Sequence, residues 1–272
     1  MSSPPPPVLP GELLELTVRR EPAAPLITYY DDATAERIEL SAVTLANWVA
    51  KTANLLQDEF DVGPGSSVAV SLPVHWQTAA VLLAVWSCGA TVVDTAPEDY
   101  GRLADVDVVL AAQDRLVALA DAGEDAVDVD LLGLSLHPLG LGMTDYVGPA
   151  RDFALEVRTH GDRFVPYEPP APAAAGLRIG ALELSLGGLT DAARELSDRL
   201  GLAAGDRVLV DERTATEAGP VAWLLAPLSA GASLVLCRNA IPDVLAHRAA
   251  IERVTATLGL RIEGVRELGR PG

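Results

Sequence analysis

Lysine is almost absent from this chain of 272 residues. Of its 20 basic residues, Lys51 is the only lysine and the other 19 are arginine. Against 38 acids this leaves a net charge of -18, which repels a phosphate backbone and an anionic lipid surface alike and argues against nucleic-acid and membrane partners. Cysteine is equally scarce. Cys88 and Cys237 are too few for a disulfide framework or a zinc site and read as small buried apolar residues in a reducing compartment. The four histidines show no metal-binding spacing, and no G-x-S-x-G nucleophile elbow occurs. Mean hydropathy is high at +0.25. Even so, the long charge-free run from Val62 to Val93 is broken by Pro64, Pro73, His75, Gln77 and Gly89, so it predicts buried strands and helices and not a membrane span. The opening MSSPPPPVLPGE has neither the basic start nor the apolar core of a secretory signal, so a cytoplasmic protein is expected.

What the chain has in abundance is apolar residues, 49% of the total, arranged in a pattern that occurs twice. LSAVTLANWVAKTANLLQDEFDVGPGSSVAVSLP, continuing to AVLLAVWSCGATVV, is echoed by LSLGGLTDAARELSDRLGLAAGDRVLV and AWLLAPLSAGASLVL. Each copy reads helix, Gly-containing turn, apolar strand, second helix, then Gly-Ala and another apolar strand. Ser41 to Gly89 spans 48 positions and Ser185 to Gly231 spans 46, which argues for one unit used twice.

Along the chain, Glu12 to Arg20 predicts a short helix, and LITYYDD with ERIEL predicts a hairpin closed through Ala33 and Thr34. Ser41 is placed to cap a helix carrying Leu45, Trp48, Val49, Thr52, Leu55 and Leu56 on one stripe. Ser67 to Leu72 is an apolar run between breakers, as in a strand buried on both faces, and Trp76 to Ser87 restores helical spacing. VDVVLAA, DRLVALADA and VDLLGLSL continue as strand, helix and strand, and Asp152 to His160 reads as helix. In the second copy Pro227 is expected to kink or shorten the helix around Val221 to Ser229, and Asp243 to Arg253 closes as a helix. Strands separated by helices of this length imply right-handed crossovers and mostly parallel sheets. The expected division is a proline-rich disordered tail over 1–11, a first α/β sublobe over 12–160, a linker over 161–176, a second sublobe of the same βαβ topology over 177–264 and a tail over 265–272.

The stretch from Pro25 to Val93 resembles the opening of the adenylate-forming (AMP-binding) enzymes, the acyl-CoA synthetase and ligase superfamily, where a hairpin, a helix, a G-x-x-x-G-D-type turn with its strand and an a-x-x-a-G-a segment follow in this order. GLAAGDRVLV and APLSAGASLVL resemble the second sublobe of the same superfamily, so the similarity covers most of residues 22 to 258. The whole chain is similar to a short actinobacterial family of this amino-terminal type. The resemblance implies the α/β fold of such a ligase's N-terminal domain without the C-terminal lid, and it is the only ground for expecting ATP, AMP or coenzyme A as ligands.

It also implies where catalytic parts should stand. Such ligases wrap the ATP phosphates in a Ser/Thr/Gly-rich loop with a lysine, because glycine admits close backbone approach, hydroxyls add donors and lysine adds charge. At that place this chain has PYEPPAPAAAGLRIGALELSLGG, in which prolines remove donors and Arg178 is the one cation. Lys51 lies in the first amphipathic helix and matches no such position, and DERTATEAGP lacks the usual aromatic or histidine. The expectation is therefore a noncatalytic, degenerate relative that binds a small molecule or regulates. Its rivals are an acid-activating, AMP-forming ligase completed by another polypeptide, and a structural subunit. The sequence expects a second copy or a partner protein to cover the face where a lid would sit.

Ligand-binding candidates follow from strand ends, where open parallel sheets bind ligands. His75 and Trp76 follow the strand Ser67 to Leu72, and the competing reading is a helix-start histidine packed beside a core tryptophan. Asp211, Glu212, Arg213 and Thr214 follow the matching strand of the second copy, where they are equally a solvated turn, and both strand ends are expected to face one cleft. Asp94 and Asp99 follow the strand after Gly89. Asp105 with Asp107, and Asp128 with Asp130, put paired carboxylates on one strand face, but exposed alternation explains them without a metal. Gly140 and Gly142 lack the third glycine of a dinucleotide fingerprint. No catalytic residue and no metal ligand is assigned.

Overall fold

A computed structural model describes residues 8–94, 106–121 and 129–269. Its element order is α1 (Pro10–Arg20), β1 (Pro25–Asp31), β2 (Glu36–Ser41), α2 (Ala42–Phe60), β3 (Ser67–Ser71), α3 (Trp76–Ser87), β4 (Thr91–Asp94), β5 (Val108–Ala112), α4 (Leu116–Asp121), β6 (Asp130–Leu134), β7 (Arg151–Asp152) and α5 (Phe153–Val157). The second half continues with β8 (Ala175–Ile179), β9 (Leu182–Ser185), α6 (Leu186–Leu200), β10 (Arg207–Asp211), α7 (Glu212–Pro220), α8 (Ala226–Ala230), β11 (Ser233–Arg238), α9 (Pro242–Ile251), β12 (Ala256–Leu258) and β13 (Arg266–Leu268).

The strands form two sheets, ordered β7-β6-β5-β3-β4-β8-β9 and β13-β12-β10-β11-β1-β2. Among the described residues only the hairpins β1–β2 and β8–β9 pair antiparallel. Those hairpins are exchanged between the halves. β1 lies parallel to β11 of the second copy, and β8 lies parallel to β4 of the first, so the sheets do not divide where the sequence repeat does. Each hairpin ends in a serine that caps the following helix: Ser41 Oγ accepts the Thr44 N–H and Ser185 Oγ accepts the Gly188 N–H.

Alternation along the strands decides what lies between the sheets. Val68 and Val70 of β3, Ile27 and Tyr29 of β1 and Leu234 and Leu236 of β11 point into one continuous core with α2, α3 and α6. Ala69 and Val109 face the other way, onto α4, and Leu209 and Val235 face α9. Because α3 is wrapped by both sheets' helical layer, every residue from Trp76 to Trp86 is buried, as a helix apolar all round requires. Its Trp86 Nε1–H donates to the Gly176 carbonyl at 2.7 Å, tying this helix to the exchanged hairpin.

The irregular segment after α5 is held by the polar face of α2. Lys51 Nζ donates to the His160 carbonyl, Asn54 Nδ2 to those of Gly161 and Arg163, and Gln57 Nε2 to that of Val165, while Gln57 Oε1 accepts the Tyr167 N–H. The chain's one lysine is thus a structural strap. Backbone groups that no strand or helix pairs are satisfied this way by side chains one helical turn apart.

Two expectations are corrected by the structure. The tail expected over 265–272 contains β13, which pairs parallel with β12 and buries Leu268, because Arg266 anchors it to Asp206 and the Gly201 carbonyl. The tail expected over 1–11 contains the start of α1, whose Glu12 side chain accepts the Leu9 N–H, and residues 1–7 lie outside the described residues. Of the two outcomes expected at Pro227, the helix is confined to a short piece: Pro227 sits in the first turn of the five-residue α8, after a π-helical turn over Val221–Leu225, and the break from helical geometry lies earlier, at Gly219 with φ 73 and ψ 171. Among the described residues no helix is long and apolar enough to cross a membrane.

A buried ionic cluster locks the second sheet. Glu252, its side chain 5% exposed, accepts from Tyr30 Oη at 2.5 Å, Arg37 Nε at 3.0 Å and Arg207 Nη2 at 2.6 Å. Burial alone would raise its pKa, but the bonds from Tyr30, Arg207 and Arg37 outweigh burial and hold it below the usual glutamate value. A carboxyl depressed in the folded state stabilises above its unfolded pKa and loses that stabilisation as pH falls through the folded one. Glu252→Gln is expected to cost about 3 kcal/mol in urea unfolding at neutral pH, since it leaves two guanidinium groups without their buried partner. The deficit should begin to shrink as the pH falls below about 4, where the unfolded chain takes up the proton, and go on shrinking towards the lower folded-state value; a constant deficit over that range would show that the charge plays no part.

Candidate functional site

Parallel pairing brings the carboxyl ends of β1, β11 and β10 to one edge, where Asp31 stands opposite Arg238 and Asp211 opposite Cys237. The strand Pro25–Asp31 puts Tyr29 and Asp31 on the same face, two residues apart. Tyr29 Oη lies 3.4 Å from Asp31 Oδ2, while Asp31 Oδ1 accepts from the Ala33 N–H at 2.9 Å and from Asn239 Nδ2 at 2.8 Å. Arg238 stands between two carboxylates, Asp31 at 3.8 Å and Glu212 at 3.5 Å. Burial, then the nearby Asp31, pushes the Tyr29 phenol upward, so it stays a neutral donor.

His75 joins this network from the other sheet. Its ring stacks edge-on against Tyr29 with centroids 4.3 Å apart. Nδ1 accepts the Gln77 N–H at 3.1 Å and so caps α3, which leaves the proton of the neutral ring on Nε2. Burial, reinforced by the positive charge of Arg238, drives its pKa down to about 3. Trp76 is 1% exposed and packs on Trp48 at 5.0 Å. Both residues are therefore core, and the pocket assigned to them by strand-end position is not open to solvent.

The other candidates scatter. Asp211 Oδ1 accepts the Thr214 N–H at 2.8 Å and caps α7, Arg213 is exposed, and Glu212 pairs with Arg238. Asp94 ends β4, and Asp99 lies outside the described residues. So do Asp105 and Asp128, while Asp107 accepts the Ser67 N–H and Asp130 is exposed. Arg178 lies directly across the hairpin from Glu183 and pairs with it at 3.4 Å, both side chains being well exposed. Gly140 and Gly142 sit in the loop after β6, as expected of a plain loop.

At the phosphate-loop position the chain makes no open loop. β8 and β9 pair directly from Ile179 to Leu182, joined by Gly180 and Ala181 alone, with Gly180 at φ +54 as a tight hairpin turn requires. Backbone amides that would point at phosphates are committed to the strand ladder, and the nearby cation is committed to Glu183.

Val70 of β3, Leu72 and Val74 after it, Val92 of β4, Thr78 and Leu82 of α3, and Ala215, Thr216, Gly219, Pro220 and Trp223 line one cavity of about 90 Å³ that opens to solvent on one side. None of His75, Trp76, Arg178, Asp211, Glu212 and Arg213 lines it. Its wall is mostly apolar and, among the described residues, uncharged, so charged residue types at strand ends did not point to it.

No family model matches the chain. A TIGR03089 family protein of Mycobacterium tuberculosis is 47% identical over 262 residues, covering 93% of this chain and 99% of that protein. The chain belongs to the TIGR03089 family. Solved structures similar to this family member include acyl- and aryl-CoA ligases. The anthranilate CoA ligase AuaEII in complex with anthranoyl-AMP superposes with a TM-score of 0.74 over 95% of this chain at 14% identity, and the N-terminal domain of FACL13 from Mycobacterium tuberculosis with 0.72 over 93% at 15%. A Mycobacterium tuberculosis fatty acyl CoA synthetase gives 0.72 over 92% at 15%. The TIGR03089 chain spans 50%, 62% and 49% of those three chains. Its fold is that of the N-terminal domain of such ligases, the α/β architecture expected from the repeated pattern.

A buried neutral histidine makes the TIGR03089 fold acid-sensitive in a defined window. Between 6.5 and about 3 the unfolded chain binds a proton on His75 that the folded chain refuses, so stability falls as pH drops, by up to about 1.4 kcal/mol per pH unit. His75→Asn keeps a capping oxygen for the Gln77 N–H but cannot titrate. Urea unfolding between about pH 6 and 4 is expected to show a slope shallower by close to one proton in this variant, and an unchanged slope would contradict the buried, neutral assignment.

Proposed function

We propose that this protein is a noncatalytic relative of the acyl- and aryl-CoA ligases that binds the apolar part of a small organic molecule in the cavity between β3, β4, α3 and α7. The observation that carries the reading is the hairpin at Gly180 and Ala181: two residues close the turn where a ligase of this fold needs a cationic, donor-rich loop around a triphosphate. The cavity supports the binding half, since it is concave, apolar and placed at the carboxyl ends of two parallel strands.

The network of Arg238, Asp31, Glu212 and Tyr29 adds to the same reading. Arg238 has its charge offset by two carboxylates already beside it, and burial would lower its pKa were it not for Tyr29, Glu212 and Asp31 around it. That cluster braces the sheet edge.

Purified protein supplied with magnesium, ATP, labelled pyrophosphate and a panel of carboxylic acids is expected to give no exchange of label into ATP. Calorimetric titration with magnesium-ATP is expected to give no saturable heat. Exchange with any acid would establish a ligase, and saturable ATP binding without exchange would favour an enzyme that another polypeptide completes.

A further inference from the structure

The cavity is small, and one side chain sets its size. At about 90 Å³ it has less room than the engineered cavities of about 150 Å³ that accept benzene. Trp223 is the one aromatic group in its wall, 5% exposed, facing Val70, Leu72, Val74 and Val92. Its position follows from the local backbone. Gly219 takes a conformation open only to glycine (φ 73, ψ 171), and Pro220 restarts the helix. Pro227 has no N–H to return to the Trp223 carbonyl in α-helical register. The chain answers with a π turn over Val221–Leu225, in which the Ala226 N–H reaches back five residues to the Val221 carbonyl. Trp223 lies at the centre of that widened turn.

The two hydroxyls in the wall already donate. Thr78 Oγ1 bonds to the Pro73 carbonyl at 2.6 Å and Thr216 Oγ1 to the Glu212 carbonyl at 2.8 Å, and among the described residues no arginine, lysine or histidine lines the space. A carboxylate placed inside would meet no charged partner among the described residues, so a charged end belongs at the open side.

We infer that Trp223 limits this site to a branched alkyl group of about three or four carbons, the apolar end of a short acyl compound, and excludes a six-membered aromatic ring. The inference rests on the reading of the cavity as the ligand site and adds the ligand class and the residue that selects it. The test uses two uncharged probes, isobutyramide and benzamide, titrated into full-length protein with labelled Val and Leu methyl groups. Isobutyramide is expected to shift the methyls of Val70, Leu72, Val74, Leu82 and Val92 with a Kd at least ten-fold below that of benzamide. Trp223→Leu should bring the ratio to one or reverse it, and Trp223→Phe should move it part of the way, which decides the matter if the leucine variant does not fold. Equal binding of both probes to the unaltered protein, or a ratio untouched by either substitution, overturns the size limit and leaves the ligand site standing. Failure of both probes to move these methyls in every folded form overturns the ligand site itself.

Discussion

The edges of two apolar strands constrain everything else in this molecule. β4 buries Thr91 and Val92 and β11 buries Leu234 to Cys237, and either strand left at the margin of a sheet would present a bare row of backbone donors and acceptors to other chains. The protein covers each with a hairpin from the opposite half, β8–β9 on β4 and β1–β2 on β11. The outer strands, β2 and β9, are short and carry Glu36, Arg37, Glu39 and Glu183. Because each half completes the other's sheet, neither repeat closes alone, and the helices between the sheets fuse into one core.

Much of this was legible from periodicity. The helix caps at Ser41 and Ser185, the buried strand at 67–71 and the fully apolar helix 76–87 all follow from residue spacing, because local capping chemistry and two-sided burial leave a local signature. Hairpin exchange left none. It is a pairing between residues far apart in sequence, such as Tyr29 with Leu236, and no pattern within either strand says which neighbour it takes. The strand at 266–268 was missed because three residues, two of them charged and exposed, carry too little apolar periodicity to separate from a tail.

The site was harder to read, and for a different reason. Polar residues at strand ends draw attention because ligands collect there, yet here His75 and Asp211 are spent on capping helices and Glu212 on holding Arg238. The partners that make this plain, Tyr29, Asp31 and Arg238, come from strands that only the exchanged sheet brings together. One signal for them did exist. A tyrosine and an aspartate on the same face of an otherwise apolar strand need a buried partner, and Arg238 at the end of another apolar strand is a natural one. The cavity itself is walled by valines, leucines and a tryptophan, residue types that look like ordinary core from sequence.

Lys51, Asn54 and Gln57 grip the segment after α5 almost entirely by its main-chain atoms. Main-chain atoms are common to every amino acid. The side chains of His160 to Tyr167 therefore play no part in these bonds, whereas the ammonium of Lys51 and the amides of Asn54 and Gln57 cannot be exchanged without losing them.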